Sequence, residues 1–547
     1  MERRIEELLD NRAPLAEDDR AYRGLLSDLQ CNILSSHGKN NARYFFVRFG
    51  SGSSPLKARY LLAMLARSSV EREIVFRALG SAEFRERLAP RLRDALAAAG
   101  SSGGPFVLEP AQYAAISQLT VVSERGARAR RALARKQARK QSAPPSGAGS
   151  DFVVSVLLSR SGYDYLEIEP PPDRAFRAGM LARGAALHDP ARPRDPYDVA
   201  DAVLIVAYDA SDAAAETLRV FRAVLDAHGD VIAEEDGFVL RSAVRTEARP
   251  EGGEPIEPFG FADGVSQPLF YASDIERASG RKGPLAWNPF APLRLAICPD
   301  PRGSSRYACG SYFVFRKLRQ DVSAFYRQAS AVAAAKQRPL ESVLEELVGR
   351  RRDGKALSPE KTFNDFDYKD DAAGAVCPFH AHVRKVNPRA DVPDAYNPRE
   401  HRIVRRGLVY GPQLERDERG APRFQGDFEL QYEKGATAAQ TGLLFLCAQS
   451  DIERQFEHIQ TTWSNNAKHP PGRDPGVDPL SGQLAGGEAN QIAVRLSKDG
   501  ELFSTGRDTR WNPVVTLEGG GYFFAPSLSF LKGLLDDLWQ ESAERMG

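Results

Sequence analysis

Two short runs constrain the fold most: Asp151-Phe-Val-Val-Ser-Val-Leu-Leu158 and Asp201-Ala-Val-Leu-Ile-Val-Ala-Tyr208 are almost unbroken in apolar residues. A strand with one wet face alternates polar and apolar side chains, so runs like these read as strands buried on both faces. Ala42-Arg-Tyr-Phe-Phe-Val-Arg-Phe49 supplies an earlier strand, and Pro55 to Arg67 and Ser81 to Ala99 carry leucine and alanine at helical spacing, with Gly103-Gly104-Pro105 ending the second. Ser211 to Ala227 reads as a helix with Ser211 or Asp212 as N-cap and Gly229 just past its end, and Phe238-Val-Leu-Arg-Ser-Ala-Val244 reads as a fourth strand. The order β-α-β-β-α-β is ferredoxin-like.

The same order recurs downstream. Gly310 to Arg316 reads as a strand, Asp321 to Ala335 and Pro339 to Arg351 as helices, and Ile403 to Tyr410 as extended; Gly442 to Cys447 is a strand, Asp451 to Trp463 a helix and Gly519 to Phe524 a short last strand. The expectation is an α+β protein of two ferredoxin-like (βαββαβ) halves with antiparallel sheets and helical insertions. The domains expected are 1–27, a helical extension; 28–262, the first half with a basic insertion at about 125–150; 263–530, the second half; and 531–547, a C-terminal helix.

Composition narrows the function classes. The 547 residues exceed one ordinary core, and a net charge of +1 gives no global reason to expect nucleic acid or an anionic membrane as partner. The five cysteines are scattered without a C-x-x-C pair, which argues against a disulfide framework or a zinc site. Met1-Glu-Arg-Arg-Ile-Glu-Glu-Leu-Leu-Asp10 lacks an apolar core like that of a secretory signal, and no run approaches the roughly 20 apolar residues of a membrane span, so a cytoplasmic location is expected. The segment Arg125 to Lys140 is rich in arginine and lysine and runs into Ser142-Ala-Pro-Pro-Ser-Gly-Ala-Gly-Ser150; without interleaved aromatics it reads as a solvated helix face or mobile excursion, with RNA or surface binding as the competing reading.

Three stretches carry the chemistry. In Glu257-Pro-Phe-Gly-Phe-Ala-Asp-Gly-Val-Ser-Gln-Pro268, Asp263 stands among glycines and phenylalanines that dry its surroundings. Cys377-Pro-Phe-His-Ala-His-Val-Arg-Lys-Val-Asn-Pro-Arg389 brings His380 and His382, and Arg402-Ile-Val-Arg-Arg-Gly-Leu-Val-Tyr-Gly-Pro412 brings Arg405. The H-x-H pair invites a metal reading, yet no further carboxylate or cysteine stands nearby at ligand spacing, whereas one imidazole suffices on one face of a haem.

In order and spacing these stretches resemble the haem-contacting motifs of the dye-decolorizing peroxidases. Further likeness lies in Cys31-Asn-Ile-Leu34, Leu157 to Tyr163, Gly310 to Arg316, Thr441 to Asn465 and Gly519 to Pro526. The resemblance implies a fold of the dimeric α/β-barrel type, with 263–530 as the haem-binding half, and one haem b per chain. It makes His382 the iron ligand, with His380 departing from a position often held by a small residue. Asp263 and Arg405 become the catalytic acid–base and charge-stabilising pair, and Arg405 with Gly264, Val265, Ser266, Asn387 and Arg389 lines or anchors the porphyrin, Arg389 being suited to a propionate. Asp451, with Glu453 as substitute, is implied as the acceptor for the other ring nitrogen of His382. Hydrogen peroxide is the implied oxidant and a dye-like or phenolic aromatic the reductant; no nucleic acid or membrane partner is implied, and a homo-oligomer is compatible. Bulky donors would use a surface Tyr or Trp, among them Trp287, Trp463, Trp511 and Trp539. A haem-handling or iron-releasing protein of the same fold is the alternative.

Overall fold

The structure is a computed structural model that describes residues 4–50, 53–67, 118–138, 152–190, 193–242, 253–282, 285, 287–335, 337–359, 363–393, 397–411, 441–483, 490–491, 495–498, 501–504 and 510–536. The helix expected at 81–99, the linker 142–150, Trp539 and most of the expected C-terminal helix lie outside the described residues.

The first half contributes β1 (Asn41–Arg48), β2 (Val153–Leu158), β3 (Ala202–Tyr208) and β4 (Asp230–Phe238), paired antiparallel in the order β2-β3-β1-β4. The second contributes β5 (Cys309–Gln320), β6 (Val404–Arg405), β7 (Leu408–Tyr410), β8 (Gly442–Gln449) and β9 (Val515–Ala525), in which β9 pairs β5, β5 pairs β8, and β8 carries β6 and β7. Both halves thus show the ferredoxin-like strand order. They join at two seams, where Phe524 of β9 faces Leu158 of β2 and Phe238 of β4 faces Val409 of β7. With these seams the pairing returns on itself as a closed sheet.

Burial follows the alternation of side chains along the strands. Phe45 and Val47 of β1 point into the core shared with α1 (Pro55–Ala66) and α3 (Asp212–His228), where Phe45 meets Phe221 edge-on at 5.6 Å between ring centroids. Tyr44 and Phe46 point the other way, into a core with Phe315, Phe523, Leu444 and Leu446. Each fully buried phenylalanine contributes about 1.5–3 kcal/mol of transfer free energy, so β1 ties two cores together. A third core packs Phe259 and Phe261 against α4 (Val322–Ala335), α5 (Leu340–Val348), Cys377 and Val383. Ser211 caps α3, its hydroxyl accepting from the Ala214 N–H at 3.1 Å.

Three expectations need correction. The fourth strand ends at Phe238 instead of beginning there: its Glu234 and Asp236 sit on the sheet's wet side, where Asp236 pairs with Arg43 at 2.7 Å and Glu234 with Arg222 at 2.5 Å, while Glu235 on the other face pairs with Lys317 at 2.7 Å. The last strand spans eleven residues, because its glycines allow close approach; a Cβ at Gly519 would lie 2.5 Å from the Tyr197 ring. The basic segment is not a free excursion. It begins as α2 (Glu124–Ala138), whose Glu124 is fully buried and whose Ala127 joins the Tyr44 core. Arg128 of α2 bonds Glu17 at 2.9 Å and Asp274 at 2.8 Å and lies 3.6 Å over the Tyr271 ring. Among the described residues, no helix is long and apolar enough to cross a membrane.

Candidate active site

The turn that presents Asp263 is built by Glu257, a residue the sequence reading passed over. Its partly buried carboxylate accepts from the N–H groups of Phe259 (2.9 Å) and Phe261 (3.0 Å) and from Gln320 Nε2 (2.8 Å), and Gly260 takes the left-handed φ of +92° that the turn requires. Asp263 then meets Arg405 of β6 in a two-pronged pair, Nη1 to Oδ1 at 2.8 Å and Nη2 to Oδ2 at 3.0 Å, while the Gly264 N–H donates to Oδ1 at 2.8 Å. Burial alone would raise the pKa of Asp263; the Arg405 charge and the Gly264 N–H outweigh it and hold the carboxyl below its usual range. Arg405 is fixed from behind, its N–H donating to Gln267 Oε1 at 3.1 Å.

Both side chains remain partly open, Arg405 at 29% and Asp263 at 24% exposure, and both line a cavity of about 810 Å³. Gly264, Val265, Ser266, Trp287 and Phe366 line the same cavity; His382, Asn387 and Arg389 do not. The second stretch is joined to the first through Ser266, whose hydroxyl accepts from Arg389 Nη2 at 3.2 Å, and through the core that Val265 shares with Ala381 and Val383.

His382 opens a short helix, α6 (His382–Lys385), and its Nδ1 lies 2.8 Å from Asp478 Oδ2. Asp478 is wholly buried, and its other oxygen accepts from the N–H groups of Leu480 (2.8 Å) and Ser481 (2.9 Å). Burial pushes the Asp478 pKa up, but the His382 imidazole and these N–H groups hold it low. A carboxylate only accepts, so Nδ1 donates its proton to Asp478 and Nε2 is the ring nitrogen left for a ligand. Asp478 therefore occupies the place expected of Asp451. Asp451 instead accepts from the Arg454 N–H at 2.8 Å, ordering the start of its own helix, and Glu453 pairs with Arg183 at 2.8 Å. His380 is 1% exposed, and burial pushes its pKa down to about 4; its Nε2 has no partner among the described residues. With 29% of its side chain exposed, His382 is the imidazole open to a ligand.

Near this helix lie two cations, Arg389 and Arg350, with no ion-pair partner among the described residues. Arg389, in a left-handed conformation with φ +52°, is buried and donates to the Asn387 carbonyl at 2.9 Å besides Ser266, yet its Nε lacks a partner and no carboxylate pairs with it among the described residues. Arg350, absent from the sequence reading, is also buried, and burial pushes its pKa down to about 10. The Asn387 side-chain oxygen is buried and has no partner among the described residues. A buried guanidinium without an anion is unfavourable unless a ligand completes it. An open imidazole nitrogen and nearby buried cations that lack carboxylates among the described residues fit a flat metal macrocycle bearing carboxylates, which is what a haem is.

Residues 293–470 match the family profile described as Dyp-type peroxidase, C-terminal. The chain is 35% identical over 411 residues to the multifunctional dye peroxidase DyP2 of an Amycolatopsis species, a match covering 70% of this chain and 82% of that protein. The chain belongs to the dye-decolorizing peroxidase family. Two solved dye-decolorizing peroxidases share its fold: DyP2 itself, with a TM-score of 0.71 at 28% identity over 95% of this chain and 99% of that one, and an Anabaena DyP-type peroxidase, with 0.68 at 28% identity over 97% and 99%. A slighter likeness, 23% over 239 residues, links it to a deferrochelatase of Yersinia pestis and covers 43% of this chain and 42% of that protein. The weight of the matches lies with peroxidases, and the iron-releasing reading is not favoured. Dye-decolorizing peroxidases are haem-dependent oxidoreductases, and this chain is one of them.

Proposed function

We propose that this dye-decolorizing peroxidase holds one haem b per chain, chiefly within its 263–530 half, and uses hydrogen peroxide to oxidise dye-like or phenolic one-electron donors. The bound haem supplies an iron that exchanges electrons with peroxide and donor. His382 Nε2 is the protein ligand to that iron, and Asp478 keeps the ring oriented and electron-rich through Nδ1. Arg389, Arg350 and Asn387 would hold the haem's carboxylates, and Gly264, Val265 and Ser266 would line its pocket. Asp263 accepts the proton that peroxide loses from one oxygen and returns it to the other. Arg405 stabilises negative charge on the departing oxygen and keeps Asp263 ionised between turnovers. The observation that carries this reading is the two-pronged Asp263–Arg405 pair at the wall of the large cavity.

The test is optical. The haem-loaded protein should show a Soret band that changes on adding hydrogen peroxide and returns as an anthraquinone dye is bleached. A Soret band indifferent to peroxide, with no bleaching, would overturn the proposal.

A further inference from the structure

The cavity is charged unevenly. Among the described residues, seven cationic side chains and three carboxylates line it, and two of the carboxylates are paired: Asp263 with Arg405, and Asp274 with both Arg128 and Arg277. Arg128 is further tied to Glu17, so it is a structural cation. Arg131, one turn along α2, differs. Its Nη1 donates to the Ser36 carbonyl and its Nη2 to Ser35 Oγ, both at 2.6 Å, and among the described residues no carboxylate forms an ion pair with it. Arg406 bonds only carbonyls among the described residues, Arg405 O at 2.9 Å and Ile33 O at 2.8 Å. Both cations therefore border the turn 33–38, whose Gly38 packs against the stem of Arg131; a Cβ there would lie 3.1 Å from Arg131 Cδ. Glu124, the nearby acid, is fully buried and bonded to Ser35. The same cavity has an apolar share of lining, with Phe238, Leu240, Ile256, Trp287 and Val409.

We infer that Arg131 and Arg406 form an anion-recognition site in the outer part of this cavity, selecting aromatic donors that carry a sulfonate or carboxylate. The inference rests on the peroxidase reading for the donor's role. A guanidinium whose bonds go only to neutral groups keeps its full charge for a ligand, and its planar fork matches a carboxylate or sulfonate edge. The apolar wall takes the ring, and the cations fix which end of it stays outermost.

Steady-state kinetics of the haem-loaded full chain test this with two donors, an aminoanthraquinone sulfonate and the neutral 2,6-dimethoxyphenol. Arg131→Gln should raise KM for the sulfonate roughly tenfold, the lower end of what a charge-assisted hydrogen bond contributes. It should leave kcat and both constants for the phenol unchanged, and Arg131→Lys, which keeps the charge, should restore most of the loss. Salt should raise the sulfonate KM of the parent more than that of the Gln variant. Calorimetric binding of naphthalene-2-sulfonate reads the site without turnover. Equal binding in parent and Arg131→Gln, or equal loss for both donors, overturns the inference while leaving the peroxidase reading intact. Arg131-dependent sulfonate binding in a protein that oxidises neither donor supports the site and sinks the peroxidase reading instead.

Discussion

Among the described residues, His382 is held by a single side-chain bond, to a fully buried acid. Asp478→Ala should therefore weaken haem affinity by roughly 10–100-fold, as loss of such an orienting partner does elsewhere. Asp451→Ala should remove only a cap, costing about 1 kcal/mol of stability with haem affinity unchanged. In the same titration His382→Ala should fail to bind haem stably while His380→Ala binds it; the reverse pattern would exchange their roles. The acid–base pair makes a pH prediction. Arg405 holds the Asp263 pKa below its usual range, so the rate of reaction with peroxide should fall only as pH drops through that depressed value. Arg405→Leu removes the opposing charge but not the burial, so the acid limb should move to higher pH while the rate falls on the order of 10²–10³. Asp263→Asn should abolish the limb and slow the reaction by roughly 10²–10⁴. Stopped-flow mixing across pH decides it, and an unmoved limb in Arg405→Leu would deny the coupling. Asp263, Arg405 and His382 were proposed because each sits in a distinctive local motif, and the structure does pair Asp263 with Arg405 and leave His382 open. Asp478 was not: it is 96 residues from His382, and its own turn advertises only a carboxylate that accepts from two nearby N–H groups.

Among the elements, α2 departs most from what its composition suggests. A helix so rich in arginine reads as a solvated face, yet Arg128 finds its partners 111 and 146 residues away in sequence, distances no local pattern encodes. Arg128→Ala should cost about 1–2 kcal/mol, discounted because Glu17 is half exposed, with the stacking on Tyr271 lost as well. Deleting 125–138 should lower Tm further than this point change, since it also uncovers Tyr271 and the core around Ala127. Thermal denaturation checks both, and a deletion variant with the parent's Tm would return the helix to the status of an excursion. The buried strands were read correctly for the opposite reason. β2 and β3 are covered on both faces, so their apolar runs carry the signal unaided, whereas β4 mixes acids into a half-wet strand and its start was missed.

For the whole molecule, the two-half architecture followed from element order alone, but the closure did not, because Phe238–Val409 and Phe524–Leu158 pair across halves and no periodicity specifies which edges meet. The β4–β7 seam is the more exposed to substitution. A Cβ at Gly237 would lie 2.9 Å from Leu408 Cβ and 3.2 Å from Leu444 Cδ1, so the seam closes tightly only because residue 237 has no side chain. Leu408 follows Arg405 by three residues, and any outward shift of β7 is transmitted to the strand that aims the guanidinium at Asp263. Gly237→Val should cost about 1–3 kcal/mol through overpacking. Because the strain falls on a joint between halves, it should also part the calorimetric unfolding into two transitions and slow the reaction with peroxide. Gly184→Ala is the matched control: it lies in the helix Met180–Leu187, its added methyl meets nothing nearer than 3.8 Å, and it should stabilise by up to about 1 kcal/mol. A Gly237→Val protein that unfolds in one step at the parent's Tm and keeps its rate with peroxide would show that the seam neither couples the halves nor supports Arg405.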